Sequence, residues 1–182
     1  MLITAAALAA TLALGACGSS GRDSGPRCPG VRLLADAATM TQFAPGAGRD
    51  LTDVDYQVAF TDVEAECRLV QSRREGSAMV VAVAPVMTAM RGPANSDRRA
   101  SFSYLVSVLG RDDTILNVQR FPVAVEFPGN LTRVTVTDDN PPVIISIPLP
   151  EGGDGRAYDI VIGFHLTPEQ LDYNRQRDGQ AR

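Results

Sequence analysis

Hydrophobic and polar residues alternate along most of this chain from Val54 onward, with a period of two. Val54, Tyr56, Val58 and Phe60 share one face, opposite Asp55, Gln57 and Thr61. Val63, Ala65, Cys67 and Leu69 repeat the pattern opposite Glu64, Glu66 and Arg68. Phe102, Tyr104, Val106 and Val108 alternate with serines, and Phe121, Val123, Val125 and Phe127 lie in a long run from Ile115. Val134 and Val136, then Val143 to Leu149, then Tyr158 to Leu166, continue it. Ala78 to Ala84 is apolar on both faces, which predicts a central strand ended by Pro85. Strict alternation marks half-buried strands. About eight of them, separated by turn clusters such as Gly110-Arg111-Asp112-Asp113 and Asp139-Asn140-Pro141-Pro142, predict an all-β antiparallel sandwich. An immunoglobulin/fibronectin-like topology is the expectation, with a barrel as the alternative. Pro122 inside the long run predicts an edge or bent strand, because Pro has no ladder donor.

Two segments break the period. Leu33 to Thr41 reads as a short helix or an irregular strand. Thr167-Pro168-Glu169-Gln170-Leu171 carries a stronger signal: Thr at N-cap, Pro at N1 and Gln at N3 form a capping box. It predicts a short C-terminal helix reaching about Arg175.

The N-terminus has a different grammar. No charged side chain occurs from Met1 to Gly21, and Leu2 to Leu14 is apolar or small. That run is too short for the roughly 20 residues of a spanning helix but suits a secretory signal. It ends in Leu14-Gly15-Ala16-Cys17, which resembles the lipobox of bacterial lipoprotein precursors. The resemblance implies cleavage between Ala16 and Cys17 and acylation of Cys17. The absence of Arg and Lys before the apolar run departs from the usual signal, and a buried N-terminal helix with a core Cys is the competing reading. The expected organisation is a signal peptide over 1–16, a lipidated Cys and flexible tether over 17–27, and a single sandwich domain over 28–182. Gly18 takes the place of the Asp that retains some lipoproteins in the inner membrane, so the outer membrane is favoured.

Of three cysteines, Cys28 and Cys67 then remain as an even pair in an oxidising compartment. A disulfide is expected, worth on the order of 4 kcal/mol for a loop of about 40 residues. A thiol nucleophile or a metal site are the alternatives; the only His available to either is His165.

Composition narrows the chemistry. The 182 residues carry 17 basic side chains, all Arg, and a net charge of −4. With no Lys, Schiff-base and phosphate-loop mechanisms are excluded. The acidic balance argues against nucleic acid as a partner. His165 reads as a sheet residue opposite Ile162, Phe164 and Leu166, with Asp159 on its own face. Gly48-Arg49-Asp50-Leu51-Thr52-Asp53-Val54-Asp55 is oxygen-rich but lacks the Gly and terminal Glu of an EF-hand loop. It reads more simply as Asp side chains capping backbone N–H groups. Asp112-Asp113 and Asp138-Asp139 read as turn residues. No nucleophile–base pair, metal cluster or cofactor loop emerges, so no catalytic residue, metal or cofactor is expected. Arg98-Arg99 and the strand edge near Pro122 are the expected contact surfaces.

The region after Cys17 resembles a group of uncharacterised bacterial lipoproteins. The resemblance rests on Cys28-Pro29 through Asp36-Ala37-Ala38, Gly48 through Asp53, Phe127-Pro128, Ile147-Pro148-Leu149-Pro150, Leu166 through Leu171 and Tyr173-Asn174-Arg175. It implies an anchored, periplasm-facing domain without assigned catalysis. The expected partners are the membrane, through the N-terminal lipid, and another envelope protein. A carrier of a small or lipidic ligand between the sheets is the second expectation, and a periplasmic hydrolase with His165 as base the third.

Overall fold

The computed structural model describes residues 27–180 apart from 47 and 75, without the side chains of 178 and 180. Ala16 and Cys17 lie outside the described residues, as does the apolar run before them. The described residues form nine strands: β1 (Gly30–Leu33), β2 (Thr39–Phe43), β3 (Val54–Ser72), β4 (Gly76–Arg91), β5 (Arg99–Leu109), β6 (Ile115–Glu126), β7 (Arg133–Thr137), β8 (Val143–Leu149) and β9 (Asp159–Phe164). One helix, α1, runs over Pro168–Gln180. Sheet A has the order β1-β9-β5-β6. Sheet B has the order β2-β3-β4-β7, and β8 pairs with the N-terminal half of β4, Ser77–Val83.

The two sheets bury their apolar faces against each other. Tyr56, Val58, Met79, Val81, Val83 and Met87 from sheet B meet Phe102, Tyr104, Val106, Val125, Ile160 and Ile162 from sheet A in one core. Each strand contributes alternate residues because side chains project to opposite faces of a strand. Two buried tyrosines stitch the layers. The Tyr56 hydroxyl donates to the Ser101 carbonyl, and the Tyr104 hydroxyl donates to Asp138 Oδ2 at 2.6 Å. Asp138 is therefore more than the turn residue its sequence context suggests.

Several local expectations are corrected. The runs at Val54–Phe60 and Val63–Leu69 belong to one 19-residue strand. A bulge between Phe60 and Asp62 moves the inward face from even to odd positions, so the sequence looks interrupted where the strand continues. Pro85 does not end β4. It falls between Val83, the last residue paired to β8, and Val86, the first paired to β7, where the ladder on that side is already broken. Not every pairing is antiparallel, since β1 lies parallel to β9. The segment Leu33 to Thr41, expected as one short helix or one irregular strand, is neither throughout: β1 ends at Leu33, a three-residue 3-10 helix covers Ala35–Ala37, and β2 begins at Thr39. That turn covers the outer face of β9. A Cβ on Gly163 would sit 3.0 Å from the Ala37 Cβ, so any larger residue there would push the turn back by a few tenths of an ångström.

The capping box of α1 forms as expected: the Gln170 amide N–H donates to Thr167 Oγ1, and the Thr167 N–H to Gln170 Oε1. The helix outruns the expected end at Arg175 because its second turn is held by tertiary contacts. Buried Asn174 donates to the carbonyls of Asp36 and Thr39, and Arg175 pairs with Asp36. α1 thereby closes the outer edge of β2. No described helix is long and apolar enough to cross a membrane.

Candidate functional site

The conspicuous recess lies where the two sheets part, between β6 and β8. Its walls are Val106 and Val108 of β5, Val143, Ile145 and Ile147 of β8, and Tyr158. It has a volume of about 440 Å³, and none of its lining residues is charged. Two polar side chains, Asn117 and Gln119 of β6, enter it. The register explains why. Asn117 pairs with Val108, Gln119 with Val106 and Phe121 with Tyr104, all residues whose side chains point between the sheets. The core-facing row of β6 therefore starts with two amides and turns apolar at Phe121. The amides do not fill the space between the sheets as aromatic residues do, and the seam stays open there. An apolar recess of roughly 300–1,000 Å³ with a few placed polar groups is the usual form of a small-ligand site.

The sequence contained a signal for it. Extending the phase of Phe121, Val123 and Val125 backward lands on Gln119 and Asn117, a polar break in an otherwise apolar face. The rim is also apolar: Leu116 and Ile144 are both more than half exposed.

The residues singled out from sequence are dispersed. Cys28 and Cys67 are joined, with Cα atoms 6.1 Å apart, and tie the start of β1 to the distal half of β3. His165 is exposed just beyond β9, and its ring meets the Arg120 guanidinium. Asp159 stands at the opposite end of β9, paired with Arg32 at 3.8 Å, so it does not orient His165. The Asp-rich loop does the capping expected of it. Asp50 Oδ1 accepts from the Thr52 N–H at 2.7 Å and from the Thr52 hydroxyl, and Asp53 Oδ2 accepts from the Asp50 N–H. The Thr52 bonds hold the Asp50 carboxyl below its ordinary pKa. Asp112 and Asp113 occupy left-handed backbone positions in the β5–β6 turn. Among the described residues no group of three or more His, Cys, Asp or Glu is placed to hold a metal ion. Arg99 pairs with Glu126 at 2.9 Å at the far end of β6, away from the recess, and Pro122 stands on the edge strand as its sequence suggests.

A second cleft, about 630 Å³, lies between β2 and α1. Several of its polar groups are occupied with one another. Arg49 pairs with Glu169 at 2.7 Å and lies over the Phe43 ring, Phe43 packs edge-on against Tyr173, and Gln170 bonds to Gln42 and the Thr41 carbonyl. These contacts dock the helix. They also join Gly48–Asp53 to Leu166–Leu171, and Asp36–Ala38 to Tyr173–Arg175, so several stretches that carried the family resemblance meet in space as structural contacts.

The buried tyrosines give the fold an alkaline limit. Desolvation, followed by the nearby Asp55 charge, pushes the Tyr56 hydroxyl from 10.0 up to about 12. Desolvation, followed by the hydrogen bond to Asp138, raises Tyr104 as well. Below pH 10 folded and unfolded chains both hold these protons. Between pH 10 and about 12 the unfolded chain releases the Tyr56 proton while the folded chain keeps it, so stability falls. The expected loss is about 2–3 kcal/mol for Tyr56. Urea titrations across that window check it, and a Tyr56→Phe chain should show a shallower decline.

No family model matches the chain, and no curated protein or solved structure matches it either.

Proposed function

We propose that this chain is a lipid-anchored, periplasm-facing binding module of the bacterial cell envelope, acting by binding rather than by catalysis. Its domain is read as an immunoglobulin/fibronectin-like sandwich, which the two stacked sheets favour. The observation that carries the binding reading is the uncharged β6–β8 recess with two amides inside it. The Leu14-Gly15-Ala16-Cys17 motif supports the anchor, with the outer membrane favoured. A triacylated Cys17 would hold stably, because lasting attachment takes more than one acyl chain.

The recess also favours one ligand chemistry within this reading. Apolar walls along a slot open on one side suit an acyl chain or similar lipidic group, with Asn117 and Gln119 offering hydrogen bonds to its polar end. The protein is then a carrier or receptor for such a group. Ser103 stands beside His165 and its carbonyl accepts the His165 N–H. The imidazole, however, meets the Arg120 guanidinium, and no hydrogen bond joins it to the Ser103 hydroxyl, so the hydrolase reading has less support than the binding one.

The test uses the full chain and a fluorescent long-chain fatty acid. Saturable binding is expected, lost in Gln119→Trp, whose exposed starting position lets the indole fill the slot without disturbing the core. Absence of saturable binding to the unsubstituted chain, or undiminished binding to Gln119→Trp, sinks the recess as the site. The anchor is checked separately: Cys17→Ala should abolish incorporation of a palmitate analogue, and normal labelling of that variant removes it.

A further inference from the structure

We infer that the free edge of β6 pairs with β6 of a second copy of this chain, forming a two-fold dimer that joins the two recesses. Most other free edges among the described residues are guarded. β1 has four residues and β7 five, and β2 lies under α1. β8 is interrupted by Pro148, and the outer half of β3 carries Asp62, Glu64 and Glu66. Short strands, prolines, charges and covering helices are how folded proteins block edge-to-edge pairing. β6 from Ile115 to Phe121 is seven residues long, holds no proline, lies under no helix and carries one charge, Arg120. It is the terminal strand of sheet A, residues 115–120 are exposed throughout, and Pro122 comes only after this stretch.

The sequence of this edge is self-complementary. A two-fold axis perpendicular to the sheet at the centre of 115–121 sets Val118 opposite Val118. It sets Asn117 opposite Gln119, so the amides can bond, and Ile115 opposite Phe121. The single charge, Arg120, faces apolar Leu116 instead of its own copy, and its guanidinium is already drawn toward His165. No like charges oppose each other, which is the condition for a cross-strand pair to be favourable. Pairing of this kind keeps both B sheets on the same side of the joined A sheets. The two recesses then open toward each other, and each closes the other's exposed side. A single strand pair buries less than the roughly 1,600 Å² of a standard interface, so the dimer is expected to be weak and concentration-dependent.

This inference rests on the strand edge and not on the lipidic reading, and its readout needs no ligand. Cys17→Ala leaves Cys28 and Cys67 as the remaining cysteines, and in that background Val118→Cys introduces one further thiol. Opposed residues at the axis bring their Cβ atoms within about 4.5–5.5 Å, so Val118→Cys should give a disulfide-linked dimer under mild oxidation. Arg120→Cys should not, because its copy lies four positions, about 13 Å, along the strand. Light scattering of the full chain in detergent should show mass rising with concentration, and Val118→Lys, which opposes two cations at the axis, should abolish the rise. Val118 is 46% exposed, so that variant is expected to fold, and an unchanged melting curve verifies it. Monomeric mass throughout, persistence of the dimer in Val118→Lys, or cross-linking of Val118→Cys no greater than that of Arg120→Cys overturns the proposal.

Discussion

Phe164→Ala is expected to destabilise the fold by about 3–5 kcal/mol, the range for removing a buried aromatic ring. Phe164 is 2% exposed and closes β9 in sheet A. Its ring stacks on Phe60 of sheet B at 4.2 Å and meets Phe102 edge-on at 5.6 Å. The truncation therefore removes an inter-sheet contact as well as buried area. Neighbours on two stiff strands cannot collapse into the space, which sets the cost toward the upper part of the range. Urea unfolding checks it: a shift below 1 kcal/mol would mean that the sheets are not packed through this cluster. A marginal domain has only about 5–15 kcal/mol in total, so the variant is expected to melt close to ambient temperature.

Removing the Cys28–Cys67 bond with Cys28→Ser and Cys67→Ser is expected to cost about 4 kcal/mol in the chain-entropy picture, from the 39-residue separation it closes. The local consequence is more specific. The pairing of β2 with β3 ends at Ala59, so β3 from Asp62 onward has no strand on its outer edge. β8 supports the arm through β4, and the disulfide ties it to the start of β1. Without the bond the arm should open ahead of the global transition. Hydrogen exchange at residues 62–72 should accelerate in the double variant while β5 and β9 keep their protection. Uniform acceleration across all strands would show instead that the bond acts only on the unfolded chain.

Much of this architecture was legible because a strand's side-chain period is two and one face of each strand must be buried. Val143–Leu149 and Phe102–Val108 lie where the alternation placed them. The edge position of Pro122 followed from its missing donor, and Thr167-Pro168-Glu169-Gln170 was read correctly because a capping box is local chemistry. The misreadings have a common cause. A bulge at Phe60–Asp62 and a break between two strands are the same phase shift in one dimension, and only the partner strand tells them apart. Pro85 would end a strand with continuous partners on both sides; it is tolerated because β7 and β8 meet beside it, a fact of topology. The tertiary contacts of Asn174 carry α1 past Arg175, where local propensity offered no reason to continue.

The proposed site divides the same way. By itself the sequence determined the strand-forming pattern, the capped helix, the absence of Lys chemistry and the motif around Cys17, since each depends on residues near one another in the chain. The phase of Phe121 and Val123 already puts Asn117 and Gln119 on the apolar face of β6, but not beside an opening, because that follows from their pairing with Val108 and Val106 and from the position of β8. Whether Asp138 was a turn residue or the acceptor for a buried tyrosine depended on a partner 34 positions away. The recess itself exists only because β6 and β8 border an opening between two sheets. Only the tertiary structure could decide that, because a space between two strands belongs to neither of their sequences.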